Sequence, residues 1–182
     1  MNIENDNIFW SPKFTLRLED FRGEPDEKKL FHANTRVNLE YFFNYNDRKT
    51  SSRFKIRINK IIVKCSVDLT KSWIKKEVIT NPHFPSLSKH EQGHFDLGEE
   101  YARSAEIKMN NKFSGKSFSC ESTIVENAVN EIKEMLDKEF KFYVYEYKKA
   151  NDGYDEETNY SRNSSKQIEY NQRFEKLHNE QM

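Results

Sequence analysis

Cysteine is nearly missing from this chain. Cys65 and Cys120 are the only two in 182 residues, which excludes a disulfide-built miniprotein, and neither has a partner Cys at metal-binding spacing, which argues against a thiolate zinc site. Both are expected to pack as buried, unpaired thiols. Glycine (5) and proline (4) are scarce, so a collagen-like repeat and a glycine-rich phosphate cradle are excluded. No excess of one charge exists either: 30 basic residues balance 30 acidic ones, and a nucleic-acid partner, which calls for a basic surplus, is not expected. No apolar run approaches the roughly 18 residues that cross a bilayer, so no membrane span is expected. The first six residues have neither the basic start nor the apolar stretch of an export signal. As written, the chain is expected in the cytoplasm, or outside it if a leader has been removed.

What remains is a lean but aromatic composition. Hydrophobic residues reach 35% against 33% charged, yet there are 14 Phe and 9 Tyr, and large rings build a core where aliphatics are few. Phe14, Leu16 and Leu18 alternate with polar residues and predict a half-buried strand. Val37, Leu39, Tyr41 and Phe43 predict a second strand over 35–45, and residues 53–67 a third, in an antiparallel meander. Past Pro82 and Pro85 the spacing turns helical, with Leu87, His90, Glu91, His94, Leu97 and Ala105 on one face of a helix over 86–112. A second helix is expected from 122 into the 140s, then a turn at Asn151, Asp152 and Gly153, then a polar helix over 164–182 carrying Ile168, Phe174 and Leu177. Strands first and helices afterwards predict α+β. The expected architecture is one domain over 1–182, a small antiparallel sheet packed on the first helix and its follower.

That first helix carries the chemistry. His90, Glu91 and His94 form HExxH, and residues four apart lie one turn apart on the same face. Two imidazoles so placed converge on one ion at about 2.0 to 2.1 Å, the distance zinc prefers. Glu91 lies about 100° round the helix, beside the ion, where a carboxylate can take a proton from water and return it to a leaving amine. Gly93 costs about 1 kcal/mol relative to alanine inside a helix, which predicts a neighbour pressing closely on that turn. Asp96 lies off the histidine face and is expected in a structural salt bridge with Arg103, the alternative being that it orients a metal ligand from behind. Of the other histidines, His83 is expected exposed before the helix, and His32 and His178 as ordinary polar positions.

The run from His90 to Leu97, with Glu100, Tyr101, Ala102 and Arg103 behind it, resembles an uncharacterised bacterial family usually labelled secreted zinc-dependent protease. The likeness includes Leu18 to Pro25, Lys71 to Lys75, Tyr154 to Asn159 and Gln167 to Phe174, and so covers most of residues 10–178. The resemblance implies a zincin-like metallopeptidase with Zn2+ as cofactor, His90 and His94 as ligands and Glu91 as catalytic base. It also implies a departure, because that family often has a His where this chain has Tyr160. The third ligand is therefore open between Asp155, favoured because it lies in a resembling block, Tyr160, and Glu121 or Glu126 on the following helix.

The function expected is hydrolysis of a peptide or protein, with an extended substrate added along the strand at 53–67. The alternative is a binding module on the same scaffold, with structural zinc or none. A protein partner docking through the C-terminal helix is a further expectation.

Overall fold

The computed structural model describes residues 6–80 and 84–179, and its architecture is α+β with a small antiparallel sheet and three α-helices. In chain order the elements are β1 (Asn7–Phe9), β2 (Ala33–Asn34), β3 (Val37–Lys49), β4 (Phe54–Asp68), β5 (Trp73–Ile74), α1 (Phe84–Phe113), β6 (Ser117–Ser119), α2 (Val125–Thr158) and α3 (Ser164–Asn179). The chain divides into two compact units, one formed by residues 1–39, 65–100 and 147–182, the other by 40–64 and 101–146.

The second unit is built on alternation. Phe54, Ile56 and Ile58 are buried while Lys55, Arg57 and Asn59 are exposed, so β4 turns one face to Met109 and Phe113 of α1 and Ile132 and Leu136 of α2 in a shared core. β6 pairs antiparallel with the start of β4, Ile56 opposite Phe118. In the first unit β1 pairs antiparallel with the end of β4, Ile8 opposite Val67. β3 lies on the other side of β4, and between the β6 and β1 pairings the Ile61 and Val63 amides donate to the side chains of Asn110 and Glu106. The expectation that residues 53–67 receive an extended peptide fits poorly with this, since neighbouring strands and side chains already engage much of their backbone. In the first unit β2 pairs antiparallel with β5, Ala33 opposite Ile74 and Asn34 opposite Trp73.

Two expectations are corrected. Leu16 and Leu18 are buried as their alternation requires, but the segment forms no strand and ends in a single 3-10 turn, Leu18–Asp20. Asn151, Asp152 and Gly153 are not a turn: they continue α2. The stripe Ala128, Ile132, Leu136, Phe140, Tyr143, Tyr147, Tyr154 and Thr158 is buried and keeps helical spacing through them. Cys65 and Cys120 are free and buried.

The link from β4 to β5 turns on Asp68, whose Oδ1 accepts from the Thr70 amide (3.0 Å), the Thr70 hydroxyl (2.7 Å) and the Lys71 amide (3.2 Å). Burial opposes the carboxylate, but the Thr70 and Lys71 hydrogen bonds and the Lys71 charge outweigh it and hold its pKa below the ordinary value. A carboxylate whose pKa is lower folded than unfolded stabilises the fold above the unfolded value, about 3.9, and loses that contribution as pH falls through the folded value. Asp68→Asn is accordingly expected to cost about 1 to 2 kcal/mol at pH 7. Urea melts at descending pH should show the gap between variant and wild type closing below about pH 4.

Candidate metal centre

Four side chains converge from the portions of two helices that belong to the first unit. His90 and His94 come from one turn of α1, Asn151 and Asp155 from one turn of α2, each pair four residues apart and so on one helix face. His90 Nε2 lies 3.2 Å from His94 Nε2, and both stand 3.1 Å from the same oxygen, Asp155 Oδ1. Donor atoms on a tetrahedral shell of radius about 2.0 to 2.1 Å stand about 3.3 Å apart. The triangle has the dimensions of three ligands around one small ion. His90, His94 and Asp155 are the cluster that could bind a metal ion among the described residues.

Hydrogen bonds at the far side of each ring set its tautomer. His94 Nδ1 faces Asn151 Oδ1 at 2.8 Å, and that oxygen also accepts from the Tyr147 hydroxyl. His90 Nδ1 faces Gln167 Oε1 at 3.2 Å; the Gln167 amide nitrogen donates to the Tyr154 hydroxyl (2.8 Å) and to Asn171 (2.9 Å). Tyr154 in turn donates to the His90 carbonyl at 3.1 Å. Each Nδ1 thus meets a carbonyl oxygen and carries the proton, which leaves each Nε2 with a bare lone pair. Two such lone pairs and a carboxylate oxygen in mutual contact repel one another unless a cation, proton or metal, stands among them.

The electrostatics point the same way. At His94 burial disfavours the imidazolium, but Asp155 and the charge of Glu91 outweigh it and raise the pKa. At Asp155 burial favours the neutral acid, yet the two imidazoles hold the carboxyl below its ordinary range. Glu91 is 2% exposed, and its Oε2 accepts from the Thr35 hydroxyl at 2.6 Å. Glu91, Thr35, the two histidines, Asn151 and Asp155 line one cavity of about 50 Å³, bordered by Ala33 and Asn34 of β2.

Gly93 explains how the two helices come so close. A Cβ there would stand 2.1 Å from the Tyr154 hydroxyl oxygen and 2.7 Å from its ring, so the neighbour expected to press on this turn is Tyr154. Burial pushes its phenol well above the ordinary range, keeping it a neutral donor. Past Thr158, α2 closes in a Schellman cap: the Tyr160 amide donates to the Asp155 carbonyl and the Asn159 amide to the Glu156 carbonyl. Asn159, Tyr160 and Ser161 all have left-handed backbones, φ 46°, 51° and 72°. Asparagine tolerates this readily; Tyr160 and Ser161 cost about 1 kcal/mol or more each. That turn sets Tyr160 at the cavity rim, stacked on Phe31, which stacks on Trp73.

Tyr160 thus borders the cavity without belonging to the donor triangle. Glu121 and Glu126 lie in the second unit, Glu126 in the first turn of α2, where its charge suits the helix N-terminus. Asp96 accepts from the Trp10 indole (2.8 Å) and Gln92 (2.9 Å) and pairs with His178 (3.1 Å). His178 is therefore a tether between α3 and α1 rather than an ordinary polar position. His32 lines the same cavity as the donor triangle, and His83 lies outside the described residues. Gln167, Phe174 and Leu177 of α3 are buried while Ile168 is 55% exposed. Asn151 and Gln167 escaped the sequence reading; the spacing Tyr147, Asn151, Tyr154, Thr158 was the signal that would have found the first.

Residues 17–162 match the model of a family described as bacterial protein of unknown function (DUF922). No curated protein and no solved structure matches the chain.

Proposed function

For this chain, which belongs to the DUF922 family of bacterial proteins, we propose a zincin-like metallopeptidase, with His90, His94 and Asp155 holding Zn2+ and Glu91 acting as general base and acid. The observation that carries the reading is the triangle of donor atoms 3.1 to 3.2 Å on a side with a second, buried carboxylate in the same cavity. Two imidazoles and one carboxylate are a donor set that suits catalytic zinc, with a position left open. When bound, the metal supplies Lewis acidity that activates water and polarises a peptide carbonyl near neutral pH.

The protein's own groups do the rest. Asn151 and Gln167 hold each ring by Nδ1 and turn its Nε2 toward Asp155, so the metal competes there only with the proton that the carboxylate attracts. Thr35 fixes Glu91 through Oε2, and Oε1 carries the proton from attacking water to the departing amine nitrogen. β2, paired on one side with β5, borders the cavity with Ala33 and Asn34 and offers backbone groups to an extended substrate. A binding module with structural zinc or none gives no role to Glu91, a buried carboxylate held beside the donors.

The test is metal content with activity. The purified protein is expected to hold about one zinc per chain, to cleave an unfolded protein substrate such as casein, to stop when zinc is chelated and to resume when it is restored. His94→Ala should lose both metal and cleavage. Retention of zinc without any cleavage would favour the binding module, and iron in place of zinc, or cleavage indifferent to chelation, would overturn the assignment.

A further inference from the structure

The metal cavity is too small for a substrate side chain, but two larger hollows adjoin it. One, of about 560 Å³, is lined by His32, Glu77, Leu87, Tyr160 and Arg162 among others. The other, of about 450 Å³, is lined by Lys28, Lys29, Leu30, Phe31, Asn159, Tyr160 and Arg162. Tyr160 and Arg162 line both hollows and the metal cavity as well. Any chain lying across the donor triangle into either hollow passes these two residues.

The second hollow is unusual in charge. Three of its seven lining residues are cationic and none is acidic. Lys29 rests its ammonium over the Phe31 ring. The Arg162 backbone amide is spoken for by Asn159, but no hydrogen bond or ion pair of the described residues engages its guanidinium. A planar five-donor fork held free at the mouth of a metal cavity is built to grip a carboxylate. The wall it works against is aromatic, since Tyr160, Phe31 and Trp73 form one stack with ring centroids 5.7 and 5.5 Å apart.

Resting on the peptidase reading above, we propose that this hollow is a substrate subsite that seats a carboxylate, with Arg162 as its specificity-determining residue and Lys28 and Lys29 as supporting charges. The carboxylate belongs to an acidic side chain or to the C-terminus of the peptide; the chemistry of recognition is the same for both.

Binding separates this subsite from the chemistry. Three N-acetylated tetrapeptides serve as probes: one with Glu and an amidated end, its Gln counterpart, and the Gln peptide with a free carboxylate end. Calorimetry on the full zinc-loaded chain is expected to show at least one carboxylate peptide binding about tenfold tighter than the neutral one, with the preference weakened by salt. The peptide that wins identifies the source. Arg162→Ala should bring the ratio close to one, Arg162→Lys should keep part of it, and Arg162→Glu should reverse it. Equal binding of all three peptides, no binding at all, or a preference untouched in Arg162→Ala overturns the proposal. Zinc content and cleavage are read on the same preparations. Zinc-dependent cleavage without a carboxylate preference removes this inference alone. An Arg162-dependent preference in a protein that holds no zinc and cleaves nothing removes the peptidase reading alone.

Discussion

Glu91→Gln is expected to leave zinc content unchanged and to lower kcat by about 10³-fold, within the range that removal of a general acid–base group produces. The substitution keeps the shape of a side chain that is 2% exposed and hydrogen-bonded to Thr35. Folding and metal loading are thereby separated from proton transfer. An amide cannot accept the proton of the attacking water, whereas the donor triangle of His90, His94 and Asp155 is left intact. Paired measurements of zinc stoichiometry and single-turnover cleavage read the two effects independently. Cleavage persisting at more than a tenth of the wild-type rate would remove Glu91 from the mechanism.

Gly93→Ala should be strongly destabilising for a single added methyl. In an unencumbered helix the change stabilises by about 1 kcal/mol. Here the added carbon would stand 2.1 Å from the Tyr154 hydroxyl and 3.3 Å from Phe174. Tyr154 is fully buried and cannot retreat without giving up its bonds to the His90 carbonyl and the Gln167 amide. Overpacking together with broken buried hydrogen bonds is expected to cost about 3 kcal/mol or more, a fall in Tm of roughly 6 to 12 °C for a chain of this length. Weaker zinc binding should accompany it, since Tyr154 and Gln167 steady the His90 ring. A melting curve at or above wild type would show that the two helices have room to spare.

The readable parts of this protein were those governed by local periodicity. Period-two burial found β3 and β4, and helical spacing found α1, because each depends on neighbours in sequence. The same rule misled at 14–18, where Leu16 and Leu18 are buried by alternation but the Leu16 amide donates to the Gln92 side chain of α1 rather than to a strand. Asn151, Asp152 and Gly153 have turn-forming propensities that would end an isolated helix. Packing of Tyr147 and Tyr154 on either side overrides them, and propensity cannot register contacts from distant chain. The HExxH pair was legible because both imidazoles sit on one turn. Asp155 was reached only as one of several carboxylates, and its selection over Glu126 and Tyr160 depends on α2 running unbroken to Thr158. The Asp96–His178 pair was invisible too, as Asp96 lies mid-chain and His178 near the C-terminus, far apart in sequence.

His90 and Asp155 are 65 positions apart, and Gln167, which orients His90, follows twelve residues after Asp155. During synthesis the two histidines therefore leave the ribosome long before the residues that complete and orient the donor set. Until α2 and the start of α3 have followed, the half-built motif offers a metal only two of its three donors. A donor set assembled this way cannot close around an ion on a nascent chain, and a product truncated before Asp155 would carry the two histidines without the carboxylate.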